Sequence, residues 1–333
     1  MSVEQRDRIV LAGDIGGTKT NLGLFSIGLR RPVCRRQKTF LSRNFQSLEA
    51  VIEEFLSHAR ANIRAACFGV AGPVFEGSCR TTNLPWQLSE TKIRKRFAWK
   101  RVRLLNDLEA MAVSVPLLTN RELAPLNPVP LRRQGNVALV APGTGLGTAM
   151  SIYCDGRYIP VASEGGHADF APGNEDEVAL WQYLRKRYGH VSSERLLSGA
   201  GAMVIYKWLR DSGRYREPAW LKDAVKQGDP AKAITEAAIK KKDPLCRASL
   251  RTLSSILGAT AGNFALTCMS TGGVYLGGGI PPKILPILKD GSFMRAFVNK
   301  GRFKNLMKTI PVRVILNSKS ALIGAAKTAA SMS

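Results

Sequence analysis

The sequence predicts an α/β protein built from two related domains, and three observations lead there. Two glycine turns lie roughly 130 residues apart, Asp14-Ile15-Gly16-Gly17-Thr18-Lys19-Thr20 and Gly143-Thr144-Gly145-Leu146-Gly147-Thr148. Each follows an apolar run, residues 9–12 or 137–140, and leads into a second apolar segment. Beyond residue 175 the apolar spacing becomes helical. Glycine tolerates positive φ and lets backbone approach a ligand closely, and successive amides in such turns form an anion-binding concavity. Two of them imply a polyphosphate held between two lobes.

Residues 9–13 and 22–27 read as strands joined by the first turn, a hairpin. Residues 47–59 carry Leu48, Val51, Ile52, Phe55 and Leu56 at helical spacing. Residues 65–71 form a short apolar strand stopped by Gly72-Pro73. A strand over 101–105 runs into Asn106-Asp107 and a helix over 108–115, ended by Pro116. The proline-rich, mixed-polarity stretch 118–135 marks a domain boundary. Strands over 136–141 and 146–153 then repeat the first hairpin. Helices follow over 176–188, 198–209, 231–240 and 245–269. A strand over 274–276 meets a third glycine turn, Gly277-Gly278-Gly279, and a last apolar helix over 320–330 is expected to pack on the first domain. The expected domains are 1–117, completed by a C-terminal helix over 318–333, and 118–317.

With 333 residues and 45% hydrophobic content, the chain has material for two cores. Its six cysteines form no CxxC or CxC pair, which argues against zinc and a disulfide framework and fits a reducing compartment. No signal peptide and no 18-residue apolar span is apparent, so a cytoplasmic, non-membrane protein is expected. The net charge is +24. Residues 1–117 contribute 19 − 10 = +9 and the remainder 30 − 15 = +15, so the excess is spread over both halves, densest at 30–38, 92–103 and 240–242. Such charge suits polyanions or is simply a solvated surface, and it bears on solubility and encounter more than on fold.

Several residues are placed for chemistry. Asp14, at a strand end beside the first turn, could hold Mg²⁺ directly or through water while Gly16, Gly17 and Thr18 face phosphate; alternatively it only forms the turn. Asp107 opens a helix, where an aspartate is often an N-cap, but it is also placed to be a general base in phosphoryl transfer. The run Ser163-Glu164-Gly165-Gly166-His167-Ala168-Asp169-Phe170 sets a carboxylate and an imidazole on a glycine bend, suited to a polyhydroxylated ligand. It lacks the second His or Cys a zinc site needs. Glu194 precedes a helix and could be a surface group or a cap. Gly277, Gly278 and Gly279 could let a flat adenine ring lie on the backbone.

Taken in order, LAGDIGGTKTNLGLF, FGVAGPV, TNLPW, LLNDLEAMA, APGTGLGTA, SEGGHADFAP, ERLLSGAG and LGGGI resemble the bacterial-type glucokinase family, within the sugar kinase/actin/heat-shock ATPase superfamily, over nearly the whole length. The resemblance implies a two-domain ribonuclease H-like fold with mixed sheets and an interdomain cleft, and phosphorylation of D-glucose at its 6-hydroxyl by MgATP. It implies that Asp107 is the base and that Asn106, Asp107, Glu164, His167 and Glu194 hold the sugar, with Asn83 on the sugar side. Gly143, Thr144 and Gly145 would hold phosphates, Gly277–Gly279 adenosine, and Asp14 would lie near Mg²⁺. A homodimer is implied too. Lys19 departs from many bacterial glucokinases and is closer to the repressor/ORF/kinase group. That group's zinc motif is replaced here by Ala168-Asp169-Phe170-Ala171-Pro172. A polyphosphate-dependent or broader hexose kinase is the alternative. A sugar-sensing regulator is a further one, with nucleic-acid contact expected to be weak and nonspecific.

Overall fold

In the first of two units, residues 1–119 with 317–333, the apolar run after residue 8 forms strand β1 (Ile9–Ile15), whose alternation feeds two cores. Leu11 and Ile15 point to one face of the sheet and Val10 and Ala12 to the other, as the two-residue period requires. The computed structural model describes residues 9–28, 30–57, 61–81, 84–132 and 134–333; Asn83 lies outside them. Strands β2 (Lys19–Ser26) and β3 (Val33–Leu41) continue antiparallel from β1, while β4 (Ile63–Val70) and β7 (Val102–Asn106) run parallel on its other side. The order is β3-β2-β1-β4-β7, with β5 (Ser78–Arg80) and β6 (Gln87–Ser89) as a separate ribbon.

Helix α1 (Leu48–Leu56), capped by the Ser47 hydroxyl, buries Leu48, Val51, Ile52 and Phe55 on one face of this sheet. Helix α2 (Glu90–Phe97) buries only Ile93. On the opposite face, α3 (Asp107–Ser114) meets the C-terminal helix. That helix (Ser320–Met332) presents the small residues Ala321, Gly324, Ala325 and Ala329 at helical spacing. A methyl group on Gly324 would lie 1.6 Å from the Ala110 carbonyl oxygen, so the two backbones touch. Pro116 does not simply end α3; a 3₁₀ turn over Val115–Leu117 takes it in.

The second unit, residues 120–316, repeats the plan. Strands β9 (Val137–Pro142), β10 (Leu146–Cys154) and β11 (Arg157–Ser163) are antiparallel, and β12 (Gly273–Leu276) and β13 (Val312–Ile315) run parallel to β9. One more edge strand, β8 (Leu123–Pro125), gives the order β11-β10-β9-β12-β13-β8. Helices α4 (Glu175–Tyr188), α5 (Gly199–Asp211), α6 (Ala219–Gln227), α7 (Pro230–Ile239) and the long α8 (Pro244–Cys268) follow. Short helices α9 (Leu285–Leu288), α10 (Ser292–Val298) and α11 (Lys304–Lys308) precede the C-terminal helix, α12. Leu253, Ile256, Leu257, Phe293 and Phe297 sit fully buried between α8 and its neighbours. Among the described residues, no helix is long and apolar enough to cross a membrane.

Candidate active site

In the first unit, the parallel strands β1, β4 and β7 bring Asp14, Val70 and Asn106 to one edge of the sheet, since Asp14 pairs with Gly69 and Val70 with Asn106. Asp14 and Asn106 therefore stand about two strand spacings apart, roughly 10 Å. Gly69 makes this edge compact: a methyl there would meet Ala110 Cβ at 2.9 Å and approach Asp107 Cα and the Gly13 carbonyl.

The first glycine turn closes when the Gly16 amide donates to the Lys19 carbonyl at 3.0 Å. Ser42, arriving from beyond β3, braces it: its hydroxyl donates to the Gly16 carbonyl at 2.9 Å and its amide to that of Thr18 at 3.1 Å. Thr18 is exposed at the tip and Gly16 and Gly17 are half-exposed. Burial pushes the Asp14 carboxyl above its ordinary value, and the amide of Asn21 pulls it partly back. One oxygen, Oδ2, takes that amide. A desolvated carboxylate with, among the described residues, this one side-chain donor suits a hydrated Mg²⁺ arriving with a nucleotide. Among the described residues no group of three or more His, Cys, Asp or Glu could hold a metal by itself.

The cap of α3 is Asn106, not Asp107. Asn106 Oδ1 accepts the amides of Leu108 and Glu109, and its Nδ2 donates to the Gly72 carbonyl at 3.1 Å. Asp107 takes the first helical position, its Oδ1 accepting the Leu108 amide at 2.9 Å.

In the second unit, the remaining candidates gather around the turn between β9 and β10. The Gly143 amide donates to the Gly145 carbonyl at 2.8 Å, leaving Thr144 exposed at the tip. The third glycine turn lies against it. Gly278, at φ 77°, presses on the Pro142 carbonyl, where a methyl would come within 2.4 Å, and the Ile280 amide bonds that same carbonyl. Gly279 faces open space.

Glu164, Gly165, Gly166 and His167 form a 3₁₀ bend after β11. Glu164 and His167 are exposed, and His167 Nδ1 lies 3.9 Å from Glu194 Oε1. Glu194 Oε2 accepts the Leu146 amide at 2.9 Å. Ser163 steadies the bend, its hydroxyl accepting the Gly165 amide at 3.1 Å. Asp169 turns away to His190, at 2.8 Å. Helix α5 starts beside the Gly143–Gly145 turn, with its Gly199 amide on the Gly143 carbonyl and no acidic residue in its first turn. Its dipole there favours an anion.

Each unit thus collects its own candidates: Asp14, Gly16, Gly17, Thr18, Asn106 and Asp107 in the first; Gly143–Gly145, Glu164, His167, Glu194 and Gly277–Gly279 in the second. Reading the sequence missed Ser42, Asn21 and Ser163. Ser42 and Asn21 act through bonds set by strand pairing, so no local pattern announces them, whereas the Ser163 bond reaches only two residues along its own run.

Glycine-turn hairpins heading two mixed sheets of the same plan define a sugar kinase/actin-like ATPase fold of the ribonuclease H type. The crystal structure of glucokinase from an Antarctic psychrotroph matches it with a TM-score of 0.86 at 29% identity, covering 96% of this chain and 98% of that one. A ROK family glucokinase from Streptomyces griseus, solved in complex with glucose and AMPPNP, shares the fold at a TM-score of 0.64 and 21% identity, covering 96% and 99%. A glucokinase of Synechocystis sp. is 41% identical over 96% of this chain and 97% of its own. A sequence model described as Glucokinase matches residues 11–332, and the chain belongs to the glucokinase family.

Proposed function

We propose that this chain transfers the γ-phosphoryl group of ATP to the 6-hydroxyl of D-glucose, giving glucose 6-phosphate and ADP. The observation that carries the reading is the first unit's sheet edge, where the braced glycine turn, Asp14 and Asp107 share the ends of β1 and β7. Asp107 accepts the hydroxyl proton as the new O–P bond forms and the bond to the ADP oxygen breaks. The amides of Gly17 and Thr18 in the first turn and of Thr144 and Gly145 in the second receive phosphate oxygens. Asp14 would hold Mg²⁺, whose charge neutralises the phosphates when it is bound. Glu164, His167, Glu194 and Asn106 take the remaining hydroxyls, and the bare backbone at Gly279 leaves room for adenosine. Little covalent chemistry is asked of the protein; positioning and charge neutralisation do the work. The Streptomyces griseus relative, solved with glucose and AMPPNP, supports this pairing of ligands.

The test is glucose 6-phosphate formation by purified protein with MgATP or inorganic polyphosphate as donor. Product with MgATP is expected. Product with polyphosphate alone would overturn the donor, and none with either would overturn the reaction.

A further inference from the structure

The phosphate turn of the second unit is held at both ends by one short segment. Glu194 Oε2 accepts the amide of Leu146 at 2.9 Å, and the amide of Gly199 donates to the carbonyl of Gly143 at 3.0 Å. The other oxygen of the same carboxylate lies 3.9 Å from His167 Nδ1. The bend carrying His167 also closes on the same residue. A methyl on Gly166 would stand 1.9 Å from the Leu146 carbonyl oxygen, so only glycine lets the two backbones meet. Leu146 is therefore gripped twice by hydroxyl-facing segments, its N–H by Glu194 and its carbonyl side by Gly166.

We propose that Glu194 is a positioning residue that couples the two substrates within the second unit. A sugar engaging Glu194 and His167 fixes the carboxylate, the carboxylate fixes the Leu146 amide, and the phosphate turn is set for the donor. Linkage makes the coupling reciprocal: whatever shifts the turn shifts the sugar's hold. This rests on the kinase reading above.

Gly145→Ala tests it, because the change lies in the phosphate turn while its predicted effect falls on the sugar. The added methyl would stand 2.4 Å from Glu194 Oε2, and the end of the glutamate side chain is what must yield. Gly145 is not among the positive-φ glycines, so alanine fits its backbone. Gly228→Ala, at the end of α6 and outside the candidate site, is the matched control: its φ is negative and its methyl would meet only the Ala224 carbonyl, at 3.8 Å.

Glucose binding is measured calorimetrically with no nucleotide present. Gly145→Ala is expected to weaken it about 10-fold, within the usual span of couplings between sites, while Gly228→Ala binds glucose as wild type does. In the reverse direction, Glu194→Ala is expected to weaken sugar-free binding of a non-hydrolysable MgATP analogue by a similar factor. Wild-type glucose affinity in Gly145→Ala, or wild-type analogue affinity in Glu194→Ala, overturns the coupling. Failure of the wild-type protein to bind or phosphorylate glucose would instead overturn the kinase reading, which separates the two.

Discussion

Asn21 donates its amide to Asp14 Oδ2 at 3.1 Å, and Thr39 donates its hydroxyl to Asn21 Oδ1 at 2.8 Å, in a row across β1, β2 and β3. The row orients a carboxylate that its surroundings desolvate. Asp14→Asn keeps an acceptor for Asn21 but removes the charge. Its thermal midpoint without nucleotide is expected to rise, while kcat falls across a magnesium titration. A lowered midpoint would show that the ionised carboxylate stabilises the fold.

Asp107 and Asn106 are adjacent yet divide their duties, so their substitutions should part. Asp107→Ala is expected to lose about 10²- to 10⁴-fold in kcat, the usual span of general-base catalysis, with helix content unchanged in circular dichroism. Asn106→Ala is expected to cost about 1 kcal/mol of stability, as lost caps do, measured by urea unfolding. Near-normal turnover by Asp107→Ala would remove it as the base.

Gly324 sits where α12 crosses α3, against the α3 backbone at Ala110 and Ser114. No flexible side chain can yield there. Gly324→Ala is therefore expected to destabilise by about 1–3 kcal/mol, the range for overpacked sites, seen as a lower denaturant midpoint at unchanged slope.

Burial alone would raise the Asp290 carboxyl, but the Ser292 amide and hydroxyl and the Arg251 guanidinium reverse that and hold it below its ordinary value. A lowered folded-state value stabilises the protein above the ordinary carboxylate range, and that stability is lost as pH falls through the lowered value. Wild type is expected to exceed Asp290→Asn in thermal midpoint at neutral pH, with the gap closing on acidification. A gap independent of pH would exclude the linkage.

Where apolar strands ended in glycine, the sequence was legible: β1, β2, β9 and β10 fall within one to three residues of their expected bounds. β3 went unread because Arg35, Arg36 and Lys38 hide it, although charge on an edge strand is how sheets avoid pairing with strangers. β11 carries Pro160, which an edge tolerates and a pattern does not announce. α2 looked like a charge run because only Ile93 is buried. The basic clusters at 30–38 and 92–103 thus lie largely on an edge strand and a solvated helix. In the candidate site, groups within a motif could be read, but the Ser42 brace and the bond from Leu146 to Glu194 span 26 and 48 residues and needed the fold.

Because α12 belongs to the first unit, that unit is interrupted by about 200 residues of the second. During synthesis at 5–20 residues per second, that interval lasts about 10–40 s. Val10, Ala12, Cys67 and Ala110, which pack against Ala321, Ala325 and Ala329, wait through it without their covering helix. The first unit is therefore a domain that only residues 320–332 can close, and nascent chains released before them expose that apolar face.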